Sequence, residues 1–446
     1  LFSNVLTILS LADMGFASAI VYSMYKPIAE KDEDTVLRLV NFYKKTYTVI
    51  GIIILVIGII IMPLLPYIIK GDSAEYFSTN QLFLYYFILL INSVVSYFFA
   101  YKRSLIIANQ QKYVVSIAHV STHVCLSILQ IIVLKLSGSF ILFLVLQVIR
   151  TVSENFILSY IADKKYPYIK NCGNKILSDD QKKPIIKNVK AMFFHKIGGV
   201  TINGSTNIVL SAFVGLKAVG YYSNYILIIA AVNMVFMQFF ESITASVGNL
   251  GATECKNKVH SVYKSVFFIN TWIAIFCSLS LYFLFNPFIT IWLGPEVLFP
   301  QSIVAVLCLN FFINAIRKAN LMFKDALGLF WNDRYKPLFE AVLGIGMAIG
   351  FSYIWGTLGV ILGFTLGTLL SSSWIEPYVL YKYGFNKSFF NFIFLTLKQL
   401  FVCFIAFMCT YILCSFVIIE GWTGLILRAV ICLIVPNAIL FLFYFK

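Results

Sequence analysis

The chain has 446 residues, of which 60% are hydrophobic and only 12% charged, and its formal net charge is +15. Soluble domains carry roughly 25% charged residues, so this composition excludes a soluble protein of this length. The basic residues are divided among short segments and make no continuous surface for a phosphate backbone, which excludes a nucleic-acid-binding protein. Backbone within lipid must satisfy its own hydrogen bonds, so the sequence predicts an all-α polytopic membrane protein.

Long hydrophobic stretches follow one another along the whole chain. Each is roughly twenty residues or longer, the length at which a helix crosses the hydrocarbon core of a bilayer. Thirteen such helices are predicted, at 1–25, 46–69, 81–108, 113–136, 139–162, 186–214, 219–247, 262–290, 299–327, 334–355, 358–383, 390–418 and 423–445.

Lysine and arginine are distributed unevenly among the gaps between these stretches. When each gap is counted together with the ends of the stretches beside it, 28 of the 34 basic residues lie in every second gap or at the C-terminus, and three lie in the other gaps. The remaining three lie deeper inside stretches. Cytoplasmic loops of membrane proteins carry the excess of Lys and Arg. The basic gaps are therefore predicted to be cytoplasmic, together with the C-terminus.

An internal repeat relates the two halves of the chain. Leu1-Phe2-Ser3-Asn4 aligns with Tyr221-Tyr222-Ser223-Asn224 at an offset of 220, and Pro66-Tyr67-Ile68 aligns with Pro287-Phe288-Ile289 at 221. Both copies run in the same direction, as in transporters whose halves are related by an axis along the membrane normal. The helix that the repeat requires before Leu1 is missing from this chain, so we expect fourteen helices in the intact protein.

The repeat also predicts how the chain is organised. We expect two six-helix lobes related by a pseudo-twofold axis along the membrane normal, followed by an additional helix pair. The segments are an N-terminal lobe with five of its six helices (1–162), a cytoplasmic linker (163–185), a C-terminal lobe (186–383) and the helix pair (384–446).

Several short segments resemble a known family. Residues 9–19 read LSLADMGFASA and residues 21–32 read VYSMYKPIAEKD, while RTVSEN at 150–155 and VGYYSN at 219–224 extend the pattern. With these segments the chain resembles the multidrug/oligosaccharidyl-lipid/polysaccharide exporter superfamily, and within it the Wzx-type polysaccharide flippases. The resemblance implies a transporter that moves undecaprenyl-diphosphate-linked oligosaccharide across the bacterial cytoplasmic membrane by alternating access. The implied partners are this lipid-linked oligosaccharide and membrane lipid, with polysaccharide assembly proteins left open.

Arg150 lies near the middle of its stretch, and Glu154 follows one turn later on the same helical face. A charge at this depth costs a few kcal/mol on insertion scales and normally has a partner. On one interpretation Arg150 contacts the substrate diphosphate, which suits a planar cation with several donors. On the other, Arg150 and Glu154 form a structural ion pair.

Lys196 lies inside the stretch 186–214 and is followed by the glycine-rich segment 198–204. Glycines lower helix propensity, so this helix could loosen beside a cation that lines a cavity. The alternative is that the glycines only permit close helix packing.

Three more charged residues are candidates for substrate or ion binding. Asp13 and Glu241 lie in stretches that match in the repeat, and each could bind a coupling cation, balance a buried cation or pair within a lobe. Arg317, near the predicted cytoplasmic mouth, could attract an anion or extend to the lipid headgroups. Arg428, near the outer end of the last stretch, is predicted to extend to the headgroups.

His119 and His123 are four residues apart, a spacing that can hold a metal ion. No third ligand lies near them in the sequence, which favours a hydrogen-bonded structural pair and no metal site. The sequence contains no G-x-x-x-x-G-K-[ST] phosphate loop, so it predicts no ATP coupling through that motif and no cofactor.

Glycines recur every four residues at Gly359, Gly363 and Gly367. This small-xxx-small spacing lets two helix backbones approach closely. We expect Gly346 and Gly350, on the preceding stretch, to face them across a tight contact.

Three functions remain in view. The first is the lipid-linked oligosaccharide flippase. The second is a cation-coupled multidrug exporter of the same superfamily, which Arg150 and Lys196 disfavour and the acidic residues keep open. The third is a membrane polysaccharide polymerase or glycosyltransferase, which would need a large loop for its catalytic residues, and no gap is long enough. We therefore predict a transporter without catalytic residues.

Overall fold

The structure is a computed structural model that describes residues 16–64, 79–171 and 176–444. Within these ranges the chain is helical and contains no β-strand. Ten helices of the described chain are long and apolar enough to cross a membrane, by length and composition. The all-α polytopic membrane fold predicted from the composition is confirmed.

The chain divides into two compact units, Leu1–Phe193 and Phe194–Lys446. The described helices of the first unit are α1 (Phe16–Ala29), α2 (Glu33–Ile61), α3 (Thr79–Ala108), α4 (Lys112–Ser137) and α5 (Phe140–Lys165). Helix α6 (Asp179–Phe213) begins in the first unit and continues into the second. The second unit also contains α7 (Leu216–Thr253), α8 (Lys256–Leu293), α9 (Gln301–Ala326), α10 (Lys336–Leu370), α11 (Ser372–Val379), α12 (Phe390–Ser415) and α13 (Gly421–Tyr444).

Helix α3 is the centre of the first unit, since it packs against α1, α2 and α5. The side chain of Tyr86 is fully buried there, and its hydroxyl donates a hydrogen bond to the carbonyl oxygen of Gly58 at 3.1 Å. In contrast, large apolar side chains such as Ile117, Ile128 and Ile131 on α4 are exposed. Exposed apolar area on this scale is typical of a surface that faces lipid.

The core of the second unit is formed by aromatic side chains on α8, α9 and the π-helical turn Leu380–Phe385. Tyr263 is fully buried, packs against Phe323 and Phe385 with ring centroids 5.2 and 5.0 Å away, and donates a hydrogen bond to Asn320 Oδ1 at 2.6 Å. Aromatic packing and a satisfied hydroxyl together stabilise a unique arrangement of these helices.

Helix α10 is a hairpin of two helical arms that reverses direction at Gly356. Gly356 has φ 53° and ψ −128°, which is non-helical and open mainly to glycine. The break falls between the predicted stretches 334–355 and 358–383, so both helices are confirmed.

The two arms of α10 pack closely at glycines of the second arm, as predicted, but the predicted glycines of the first arm take no part. A Cβ atom on Gly363 would lie 2.3 Å from the backbone nitrogen of Ala348, and one on Gly367 would lie 2.6 Å from Gly344 Cα. Nothing lies within 4 Å of the Cβ positions of Gly346 and Gly350. The prediction that these two glycines face the second arm is therefore wrong, because they lie on the other side of the first arm.

Helix α6 is unbroken through its glycine-rich segment. The alternative of close packing is found at Gly198, whose Cβ would lie 2.4 Å from Pro337 Cβ. The helix predicted at 186–214 is present, although it is too polar to be among the ten apolar spans.

Candidate functional site

Glu154 on α5 is the acidic centre of a charged cluster in the first unit. Its side chain is buried and binds Arg103 on α3 through Oε1, while His119 Nδ1 on α4 lies 3.0 Å from Oε2. Three helices therefore meet at one carboxylate. Of the two interpretations offered for Arg150, the ion pair with Glu154 does not form in this structure, because Glu154 pairs with Arg103 and lies against His119.

Arg150 lies one turn before Glu154 on the same helix and is partly exposed. It is about 15 Å from the start of α5, at a rise of 1.5 Å per residue, and so lies well inside the helix. Among residues 16–64, 79–171 and 176–444 it forms no ion pair. Its neighbour Thr151 donates a hydrogen bond to Asn92 Oδ1 at 2.6 Å, which fixes α5 against α3.

A second charged contact joins the same two helices. Lys102 Nζ donates to Ser159 Oγ at 2.6 Å and to Asp163 Oδ2 at 2.8 Å. Helices α3 and α5 together carry five cations and two acids. Lys102 and Arg103 pair with the acids, and two further lysines lie in the last turn of α5. Arg150 is therefore the cation in the interior of α5 that has no acidic partner in the described chain.

The sequence interpretation missed Arg103 and Lys102 because it assigned them to a cytoplasmic loop. Helix α3 continues to Ala108 and carries both side chains along α5. The available signal was that both residues fall inside the predicted stretch 81–108.

Arg317 belongs to a separate cluster in the second unit and is buried. It binds Glu376 on α11 with two hydrogen bonds, Nε to Oε2 at 3.0 Å and Nη2 to Oε1 at 2.7 Å. Its Nη1 donates to Asn314 Oδ1 at 2.9 Å and approaches Glu340 Oε1 at 3.5 Å. Lys336 also binds Glu376. Four hydrogen bonds therefore hold the buried guanidinium of Arg317 inside the second unit, which favours a structural role over contact with an anion or with the headgroups.

The same cluster extends through a buried aspartate. Asp333 accepts a hydrogen bond from Lys324 at 2.7 Å and lies 3.1 Å from His195 Nε2 on α6. Three cations of this cluster, Arg317, Lys324 and Lys336, are thus each paired with an acid inside the second unit. Asp325 adds a further carboxylate 3.8 Å from Lys324 Nζ. A buried network in which every cation is paired is suited to holding helices together.

The remaining predicted site residues are dispersed. Lys196 follows His195 on α6 and is partly exposed, and Glu241 is exposed on α7, where its charge interacts with that of Lys318. Asp13 lies outside the described residues. Arg150 and Glu154 share α5, but Arg317 belongs to the other unit.

The two histidines of α4 have separate partners. His119 lies against Glu154, while His123 Nδ1 lies 3.0 Å from Ser127 Oγ, and the rings are 5.8 Å apart. In the described part of the chain, no three His, Cys, Asp or Glu side chains form a group that could hold a metal ion.

Two phenols outside the membrane-spanning helices lie in the turn after α5. Burial raises the pKa of Tyr166 and of Tyr168 to about 12, so both are neutral at physiological pH. Asp32, just before α2, interacts with the side chain of Thr35 and accepts a hydrogen bond from its backbone N–H, and these two interactions lower the pKa of its carboxyl group.

The family model described as polysaccharide biosynthesis protein matches residues 2–247, more than half of the chain. The chain belongs to this family. The match confirms the resemblance to the polysaccharide flippases of the exporter superfamily. No curated protein matches the chain.

Solved structures of MATE transporters share the fold of this polysaccharide biosynthesis family member. An outward-facing multidrug resistance MATE family transporter of the MOP superfamily is 14% identical, with a TM-score of 0.65 and 84% of each chain covered. The Vibrio cholerae MATE transporter VcmN in its bent form is 12% identical, with a TM-score of 0.67 and coverage of 85% of this chain and 87% of VcmN. The protein is therefore a multi-pass membrane protein with a two-lobed MATE-like transporter fold.

Proposed function

We propose that this protein moves undecaprenyl-diphosphate-linked oligosaccharide from the inner to the outer leaflet of the bacterial cytoplasmic membrane, for surface polysaccharide biosynthesis. The observation that carries the proposal is Arg150. This arginine lies inside a membrane helix, and the acid one turn away is occupied by Arg103 and His119.

A cation inside a membrane helix is costly unless it has a partner or a water-filled cavity beside it. The diphosphate of a lipid-linked sugar is a suitable transient partner, because guanidinium groups bind phosphate oxygens with two parallel hydrogen bonds. A membrane potential that is negative inside the cell favours outward movement of the diphosphate. The gain is about 2.3 kcal/mol per charge per 100 mV.

The paired network around Arg317 has a different role in this proposal. Because its cations are paired with acids of the described second unit, it holds α6, α9, α10 and α11 together and leaves substrate binding to other residues. The charge distribution among the loops supports a cytoplasmic C-terminus. The proposed partners are the lipid-linked oligosaccharide and membrane lipid.

The direct test replaces Arg150 with alanine in a strain that lacks its own copy of the gene. We expect surface polysaccharide to fall by about tenfold or more, because one charge-assisted contact contributes roughly 1.5–3 kcal/mol. Lys135→Ala is the matched control, since it removes one positive charge from an exposed position at the end of α4. Membrane levels of each variant are measured by immunoblot, and Arg150→Ala protein that exports at the wild-type level would disprove the assignment.

A second experiment tests whether Arg150 must stay unpaired. Removing Arg103 by Arg103→Leu leaves Glu154 short of a cation, and Arg150, four residues away on the same helix, becomes its nearest replacement. We expect export to fall several-fold in Arg103→Leu and to recover in the double variant Arg103→Leu/Glu154→Gln, which removes the competing charge. If the double variant is as inactive as the single one, Arg103 acts in another way and the pairing argument fails.

A multidrug exporter is the second candidate function, and the exposed carboxylate of Glu241 favours it, since organic cations prefer acidic surroundings. Expression in a drug-sensitive strain distinguishes the two. Resistance to organic cations that depends on Glu241 and is unchanged by Arg150→Ala would replace the flippase proposal.

A further inference from the structure

A cavity of about 640 Å³ lies in the second unit, at the end where α8 and α12 finish and α13 begins. Its volume is in the range of small-molecule sites, roughly 300–1,000 Å³. The lining combines apolar side chains such as Phe283 and Ile419 with Asn286 and with two charged residues, Arg428 and Glu420. Such a mixed lining fits an amphiphile.

Arg428 is positioned at the level of lipid headgroups. It lies seven residues into α13, about 10 Å from the helix start, and its Nη2 turns back to donate to the carbonyl oxygen of Val417 at 2.9 Å. Trp292, near the end of α8, and Trp422, near the start of α13, are exposed, and each is next in sequence to a residue that lines the cavity. Tryptophan is enriched at membrane–water interfaces, so this end of the unit lies at the interface.

Arg428 and Glu420 line the same cavity without pairing. Within the described part of the chain, neither side chain forms an ion pair. A ligand with an anionic and a cationic group a short distance apart can satisfy both residues at once, whereas a simple anion would meet the repulsion of Glu420.

A second, almost wholly apolar cavity of about 410 Å³ is lined by α7, α8 and α13. Leu425 of α13 lines both cavities, so the two lie next to each other. An apolar cavity next to a charged one matches the chemistry of a lipid, with an acyl chain beside a headgroup.

We propose that this double cavity binds a zwitterionic phospholipid with a primary amine in its headgroup, of the phosphatidylethanolamine type. The phosphate binds Arg428, the ammonium binds Glu420, and one acyl chain occupies the apolar cavity. The bound lipid holds the α12–α13 pair against α8. This inference does not depend on Arg150 or on the identity of the transported substrate.

The test is native mass spectrometry of the detergent-purified full chain, titrated with phosphatidylethanolamine, phosphatidylglycerol, phosphatidylcholine or water-soluble glycerophosphoethanolamine. We expect one tightly bound phosphatidylethanolamine. Arg428→Gln and Glu420→Gln should each weaken its binding by about tenfold or more, since each removes a charge-assisted hydrogen bond. Lys217→Gln and Glu296→Gln are the matched controls, because both side chains are exposed elsewhere in the same unit.

Phosphatidylglycerol lacks the cation and phosphatidylcholine lacks the N–H donors, so both should bind about tenfold more weakly or worse. Binding of phosphatidylglycerol that equals that of phosphatidylethanolamine would overturn the zwitterion assignment, as would insensitivity to Glu420→Gln. If glycerophosphoethanolamine, which has no acyl chains, binds as tightly as the lipid, the apolar cavity does not contribute to binding and its assignment to an acyl chain is overturned. Insensitivity to Arg428→Gln would overturn the site as a whole.

Discussion

Gly363→Val is expected to prevent the α10 hairpin from closing. Even a single Cβ atom at this position would lie 2.3 Å from the backbone nitrogen of Ala348 and 2.4 Å from its Cα. Backbone atoms cannot turn aside as a side chain can, so the two arms must separate. We expect a loss greater than the roughly 1–3 kcal/mol of an ordinary overpacked core, seen as little folded protein in the membrane and a strongly lowered melting temperature in detergent.

Gly346 provides the control for this prediction, because it lies on the first arm of the same hairpin. Nothing lies within 4 Å of its Cβ position, so Gly346→Ala should be neutral or stabilising by up to about 1 kcal/mol through helix propensity. Gly363→Ala should instead destabilise. The same substitution, glycine to alanine, is thus expected to change the stability in opposite directions at the two positions. Equal changes in stability at Gly346 and Gly363 would contradict the packing derived for α10.

Glu376→Gln is expected to produce the second large effect. Glu376 is fully buried and binds both Arg317 and Lys336. Glutamine keeps the shape but removes the negative charge, so two buried cations lose their shared partner. Breaking a buried ion pair from one side costs about 3–5 kcal/mol, which thermal unfolding in detergent would report.

Two comparisons isolate the charge as the cause. The double variant Arg317→Met/Glu376→Leu removes one cation together with the acid, and it should be more stable than Glu376→Gln. Asp180→Asn breaks an exposed pair with Lys183 and should cost no more than about 1 kcal/mol. A melting temperature for Glu376→Gln that equals that of Asp180→Asn would show that the network does not stabilise the second unit.

The α10 hairpin shows which parts of the helix packing can be predicted from the sequence. The polar interruption around Gly356 separates two apolar stretches, and the chain reverses there. The four-residue spacing of the glycines in the second arm also predicted close packing. Which glycines of the first arm take part could not be predicted, since Gly346 and Gly350 follow the same spacing as Gly344 and Ala348. Their orientation depends on how the arm is rotated about its own axis.

Glu154 shows the same limit at the candidate site. Sequence spacing offered Arg150 as its partner, because residues four apart are neighbours on a helix. The structure instead supplies Arg103 and His119, which lie 51 and 35 positions away. A helix buries one of its faces against other helices. A carboxylate on that buried face is reached more easily by side chains of the neighbouring helices than by a residue at the edge of the face on its own helix.

The sequence by itself determined the membrane fold, the approximate positions of the helices and the family pattern, because hydrophobic length and loop charge are local properties of the chain. Only the tertiary structure decided which charges are neutralised. It removed Arg317 from the set of open cations by pairing it with Glu376, and it left Arg150 without an acidic partner in the described chain. Neutralisation requires atoms within about 4 Å of each other, and such distances between helices are set by packing.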